Sequence, residues 1–168
     1  MESLFENTYI RDKKVAKEIY GYFYFRRKFY IIVYIMLVIA FAANLVTAIC
    51  GYSYNLPAFI LIPLLFALPF YSYFRQVSIL VKRDKEAHGD VVELNTVVTE
   101  DFIQITVLTS VSKVEFDKIK SVIQTKNLIL LRTKANMLVI FQKDGFTKGD
   151  KDEFVSFLKN KGIKVKGK

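Results

Sequence analysis

The sequence predicts an α+β membrane protein: a two-helix transmembrane hairpin followed by a small antiparallel β-barrel closed by a C-terminal helix. Three observations carry this. First, no charged residue occurs between Lys28 and Arg75. A bilayer core about 30 Å thick takes about 20 apolar residues per spanning helix, so this stretch holds two spans and a tight turn. Second, from about Val91 onward apolar residues alternate at period two, the pattern of half-buried strands. Third, from Asp150 the period lengthens to that of a helix.

Residues 1–28 read as an amphipathic N-terminal segment, because Val15, Ile19, Tyr22 and Phe23 recur at helical spacing. Tyr20, Tyr22, Tyr24 and Tyr30 cluster where lipid headgroups would lie, a depth that suits an apolar ring with a hydroxyl seeking water. Residues 29–50 form the first span, 51–55 an external loop and 56–74 the second span. The first run contains Ala40-Phe41-Ala42, but it exceeds a signal-peptide core and a second span follows, so it reads as retained. The second span holds Pro57, Pro63 and Pro69. Pro57 fits a first helical turn, whereas Pro63 and Pro69 are expected to bend the helix. Residues 75–90 are a polar, basic connector.

Arg26, Arg27 and Lys28 precede the hairpin, and Arg75, Lys82, Arg83 and Lys85 follow it, while the loop Gly51–Asn55 is uncharged. Positive-inside reasoning puts a multi-pass protein in the cell membrane with both termini cytoplasmic.

Residues 91–168 read as the cytoplasmic domain. Val92–Val98 and Ile103–Leu108 alternate around the turn Thr99-Glu100-Asp101. Lys113–Phe116, Ile119–Gln124, Leu128–Arg132 and Met137–Phe141 continue the pattern, with Thr133–Asn136 joining the last two. In the final helix Phe154, Phe157 and Leu158 share a face. Its acids Asp150, Asp152 and Glu153 come first, and Lys159 and Lys161 last, matching the helix dipole; Gly162 suits a C-cap. The expected core is Phe116, Ile119, Phe154, Phe157 and Leu158. A small sheet closed by one terminal helix is a pleckstrin-homology-like plan.

The chain as a whole resembles the bacterial YcxB-like family, whose members look like two transmembrane helices followed by such a domain. The resemblance rests on both spans and on two weak motifs. Val114–Val122 carries Phe116 where the family often has tryptophan before an isoleucine-valine pair. Phe141–Phe146 stands where the family often shows an apolar-Pro-Lys-x-x-Phe turn, with Gln142 replacing the proline. The resemblance implies no catalytic residues.

The remaining residues exclude most chemistry. One cysteine, Cys50, cannot form an internal disulfide or a Cys-rich zinc site, and one histidine, His88, cannot build a multi-histidine cluster. The expected topology puts these two on opposite sides of the bilayer, so they cannot act as nucleophile and base. Asp150, Asp152 and Glu153 lack the further oxygen ligands of a calcium loop. No enzymatic activity, cofactor or metal is therefore expected. The net charge of +9 is read as topology signal and membrane-surface attraction, not nucleic-acid binding. Thr99–Asp101 reads as the first hairpin turn, where a eukaryotic pleckstrin-homology domain is basic; here it is acidic and would repel an inositol phosphate. Anionic headgroups should attract the basic flanks nonspecifically, by about 1 kcal/mol per basic residue near the surface.

What remains is binding. The expected function is a membrane-anchored protein-interaction module whose partner is a membrane or membrane-associated protein; a homo-oligomer is also compatible. The alternative is an immunity protein against a membrane-acting toxin or bacteriocin. Candidate contacts for a membrane-embedded or external partner are Asn44, the one strongly polar residue deep in a span, with Tyr52, Tyr54 and Asn55 of the loop. For Asn44 the favoured reading is a bond across the hairpin, worth about 0.6–2 kcal/mol, ahead of a partner contact. Lys126 and Lys134 are the candidate contacts on the domain surface.

Overall fold

A computed structural model of the chain describes residues 2–25, 28–52, 55–89 and 92–167, without the side chains of residues 28, 87 and 88. It divides into two compact units. One joins the chain up to Val15 to the chain from Asp84 onward; the other is Ala16–Arg83.

The first unit begins where the sequence reading placed an amphipathic segment. Phe5–Ile10 is instead a strand, β1, with Phe5, Asn7 and Tyr9 buried on one face. The polar Asn7 hides the period-two signal, and six residues carry little local preference. Tertiary pairing makes the strand. It lies antiparallel to β2 (Glu93–Val98), with Phe5 opposite Val98 and Ile10 opposite Glu93. β2 pairs with β3 (Phe102–Val107), and β3 with β4 (Ser110–Glu115). A single 3-10 turn, Phe116–Lys118, leads to the second sheet. There β5 (Ile119–Gln124), β6 (Leu128–Thr133) and β7 (Leu138–Gln142) run antiparallel. β8 (Phe146–Lys148) returns to the other edge of β1, and β9 (Val165–Lys166) runs parallel to β5. The orders are β4-β3-β2-β1-β8 and β7-β6-β5-β9. Among the described residues these are two sheets, not one closed barrel.

Three hairpin turns use one device. The hydroxyls of Thr99, Thr125 and Thr133 each donate to the carbonyl of the residue that closes the turn and accept its N–H. Those residues are Phe102, Leu128 and Met137. Each buried hydroxyl thus satisfies backbone groups that the turn would otherwise strand.

The closing helix is the C-terminal Lys151–Asn160. Asp150 caps its start, its carboxylate accepting the N–H of Asp152 at 2.6 Å, and Gly162 follows its end at φ +77°. Phe154, Val155 and Leu158 are buried on the sheets. The Phe154 ring lies 4.5 Å from Phe141, 5.3 Å from Phe5 and 5.5 Å from Phe146, centroid to centroid. Of the expected core, Ile119, Phe154 and Leu158 are buried, while Phe116 and Phe157 pack only partly buried against it.

The second unit is helical. Helix α1 (Lys13–Phe25) starts in the first unit, where Asp12 caps it by accepting the Val15 N–H at 2.8 Å. Helices α2 (Lys28–Ile49) and α3 (Leu56–His88) follow. Both are long and apolar enough to cross a membrane, with mean hydropathy 2.5 over Phe29–Ile49 and 1.8 over Leu56–Glu86. They pack through aromatic pairs such as Tyr34–Phe66 and Phe41–Phe59, at 5.2 and 5.7 Å. α3 continues through Pro63 and Pro69 and on to His88. The expected polar connector 75–90 is thus helical to His88, because its Lys, Arg, Ala and Glu are good helix formers. Counting the terminal one, the structure has four α-helices among the described residues, and the terminal helix Lys151–Asn160 is α4.

Candidate functional site

The outward faces of α2 and α3 carry no polar cover. Met36, Ile39 and Ile60 are 65, 63 and 64% exposed. A contiguous apolar surface of this kind needs lipid or protein over it. Within this unit an apolar groove of about 380 Å³ is lined by Leu37, Phe41, Leu45, Pro63 and Phe66, among others.

The sequence-derived contacts fall in different places. Asn44 does not bond across the hairpin as its first reading expected. Its Nδ2 donates to the Ala40 carbonyl at 3.0 Å, one turn back on the same helix. Asn55 caps α3: its carbonyl accepts the N–H groups of Ala58 and Phe59, and its side chain lies 3.4 Å from the Ala58 nitrogen. Tyr52 is 72% exposed. Tyr54 lies outside the described residues, as do Arg26 and Arg27 of the basic flank. Lys126 and Lys134 sit at opposite ends of β6 and belong to two separate depressions. Lys126 shares a polar pocket of about 170 Å³ with Gln124, Lys143, Lys151 and Asp152, where the Lys143 ammonium donates to the Thr125 carbonyl at 2.7 Å. Lys134 lines a second depression with Lys113, Lys118 and Met137. There the hydrogen bond to Glu115, and then that carboxylate's charge, raise the Lys118 pKa.

The acidic turn Thr99–Asp101 is not the first hairpin of the sheet, as its sequence reading had it. It joins β2 to β3. The connection between β1 and β2 is the long segment that holds α1, α2 and α3. Where the chain leaves and re-enters the sheet unit, Arg11 meets Asp84 in a two-pronged ion pair, Nε to Oδ2 at 2.7 Å and Nη2 to Oδ1 at 2.6 Å. Their side chains are 24 and 12% exposed. Neither residue stood out in the sequence, since nothing local signals a pair so far apart in the chain. Beside them the buried Tyr9 phenol has its pKa raised, chiefly by burial, against a lowering by the Arg11 guanidinium; the Asp84 charge adds the smallest contribution, a raise. Removing the guanidinium strands a nearly buried carboxylate. Arg11→Ala is expected to cost about 2 kcal/mol, below the 3–5 typical of fully buried pairs because water reaches Arg11. A double-mutant cycle with Asp84→Asn, read by thermal unfolding in detergent micelles, checks this: the two losses should not add.

Among the described residues no three His, Cys, Asp or Glu side chains gather as metal ligands. Cys50 is a free, exposed thiol.

The architecture defines an α+β protein in which two helices long and apolar enough to cross a membrane precede most of a β-sheet region and are inserted between its first two strands. Residues 98–158 match the family model described as YcxB-like protein, and over that segment the chain is similar to that family. The matched stretch lies wholly in the sheet unit, from the end of β2 to α4. No curated protein and no solved structure matches the chain.

Proposed function

We propose that this protein is a non-enzymatic interaction module, anchored by its helix hairpin on the cytoplasmic face of a bacterial membrane, with both termini in the cytoplasm. The observation that carries this is the pairing of β1 with β2. One strand precedes the first apolar helix and the other follows the second, so their pairing requires both ends of the hairpin to be on one side of any bilayer. The uncharged loop and basic flanks then favour the cytoplasm for those ends. The meander β1–β4, the second sheet β5–β7 and the closing α4 support a pleckstrin-homology-like unit, with the hairpin occupying its first loop. A domain joined to its anchor through two chain crossings stays close to the membrane, which raises its effective concentration for partners held there. Its partner is accordingly a membrane or membrane-associated protein, with anionic headgroups attracting the basic flanks nonspecifically.

Topology has a direct check. In a Cys50→Ser background, Asn55→Cys should react with a membrane-impermeant maleimide in intact cells, and Ser156→Cys only after lysis. Labelling of Ser156→Cys in intact cells would overturn the orientation. For the function, in-cell photo-crosslinking from Lys126 and Lys134 should capture a discrete protein.

The apolar groove of about 380 Å³ in the hairpin favours a second reading, immunity against a membrane-acting toxin that would seat on α2 and α3. Protection in a toxin challenge that survives disruption of the sheet unit's surface, with no partner crosslinked to it, would select that reading.

A further inference from the structure

β4 is an unusual strand for what it contributes to the core. Among its six residues, Ser110–Glu115, only Val114 is buried. Val111 is 56% exposed, and so is Leu108 in the preceding turn, at φ +52°. β4 pairs with β3 on one side and, among the described residues, with no strand on the other. It therefore presents a row of unpaired backbone N–H and C=O groups, ready to accept another strand.

Beside this edge lies a depression of about 190 Å³, formed where the turn between β6 and β7 approaches β4. Val114, Ala135 and Met137 give it an apolar lining, and Lys113, Lys118 and Lys134 surround that lining with ammonium groups. Lys118 is held by Glu115 at 2.9 Å, and the Lys113 ammonium lies 4.6 Å from the centre of the Phe102 ring. Lysines at a sheet edge discourage two copies of that edge from pairing, because like charges would meet. The same lysines attract an acidic strand, so the edge selects by charge.

We propose that the free edge of β4 and the adjoining depression are a docking site for an extended segment of a partner protein, acidic with interspersed apolar residues, added to the sheet as a further strand. Backbone pairing along β4 supplies register, Met137 and Val114 receive an apolar side chain, and the lysines receive carboxylates. This rests on the interaction-module reading and names the surface and chemistry it uses.

The test uses the full chain in nanodiscs of neutral phosphatidylcholine and a fluorescent octapeptide of alternating glutamate and valine, followed by anisotropy. Binding should weaken with added salt. Joint reversal of Lys113→Glu and Lys134→Glu, both exposed positions, should weaken it about tenfold or more. N-methylation of alternate peptide residues should abolish binding in one phase and spare it in the other, because only every second residue of an added strand faces β4. Absence of binding, or binding indifferent to N-methylation in both phases, overturns the proposal. In cells, a photo-crosslinker at Val111 should capture an acidic segment of a partner. Capture from Lys126 but not from Val111 removes the β4 site and leaves the interaction module standing. Capture from neither removes both.

Discussion

A chain that starts at residue 91 is expected not to fold, although the strand pattern of the sequence assigns the whole domain to residues 91–168. β1 lies between β2 and β8, so its loss opens two edges inside the sheet at once. Phe5, Asn7 and Tyr9 leave buried positions, and the Phe5 ring leaves the side of Phe154. Each large apolar side chain is worth about 1.5–3 kcal/mol when buried, and the lost pairing adds to it. The sum rivals the 5–15 kcal/mol that typically holds a domain together. The converse is equally specific. Ile10 faces Glu93, and the Arg11 N–H donates to the Val92 carbonyl at 3.0 Å. Residues 12–91 can therefore be replaced by an Asn-Gly turn, the two-residue link that antiparallel neighbours favour. The joined chain should be soluble, give dispersed amide resonances and unfold cooperatively in urea. If residues 91–168 alone do the same, β1 is not an integral strand.

Replacing Asn7 should be the most damaging single polar change. Its side chain is fully buried and acts as a short piece of strand: Nδ2 donates to the Gln142 carbonyl at 2.8 Å, and Oδ1 accepts the Gln142 N–H at 3.2 Å. It thereby connects β1 in one sheet to the end of β7 in the other, where no backbone ladder joins them. Asn7→Leu keeps the volume but leaves the Gln142 N–H unpaired, while the Gln142 carbonyl keeps only the Gly145 N–H at 3.0 Å, for a loss of about 1–3 kcal/mol. Asn7→Asp keeps the acceptor while setting a carboxylate against the Gln142 carbonyl, and should not rescue. Urea midpoints of the joined chain, with thermal unfolding of the full chain alongside, measure both; a loss under about 1 kcal/mol would mean that water replaces the amide.

The basic depressions at the two ends of β6 show how far a candidate site was legible. Lys126 and Lys134 are readable as surface lysines because each lies in a turn between apolar runs. That Lys134 shares its depression with Lys113 and Lys118, and Lys126 with Lys143 and Lys151, depends on which strands become neighbours. Asn44 shows the opposite error: a polar residue in an apolar run suggests a distant partner, yet the carbonyl one turn back is nearer.

The sequence by itself determined the two apolar helices, six of the strands and the closing helix with its caps, since each is written in a local period, a run without charge, or a capping residue. It also determined the YcxB-like resemblance over the segment that matches. Only the tertiary structure decided that Phe5–Ile10 is a strand, that β8 and β9 extend the two sheets and that Arg11 holds Asp84. These share one physical reason. A short strand or a single ion pair gains its free energy from a partner remote in the chain, and here the helical hairpin separates β1 from β2, so no window of sequence contains both halves of the interaction.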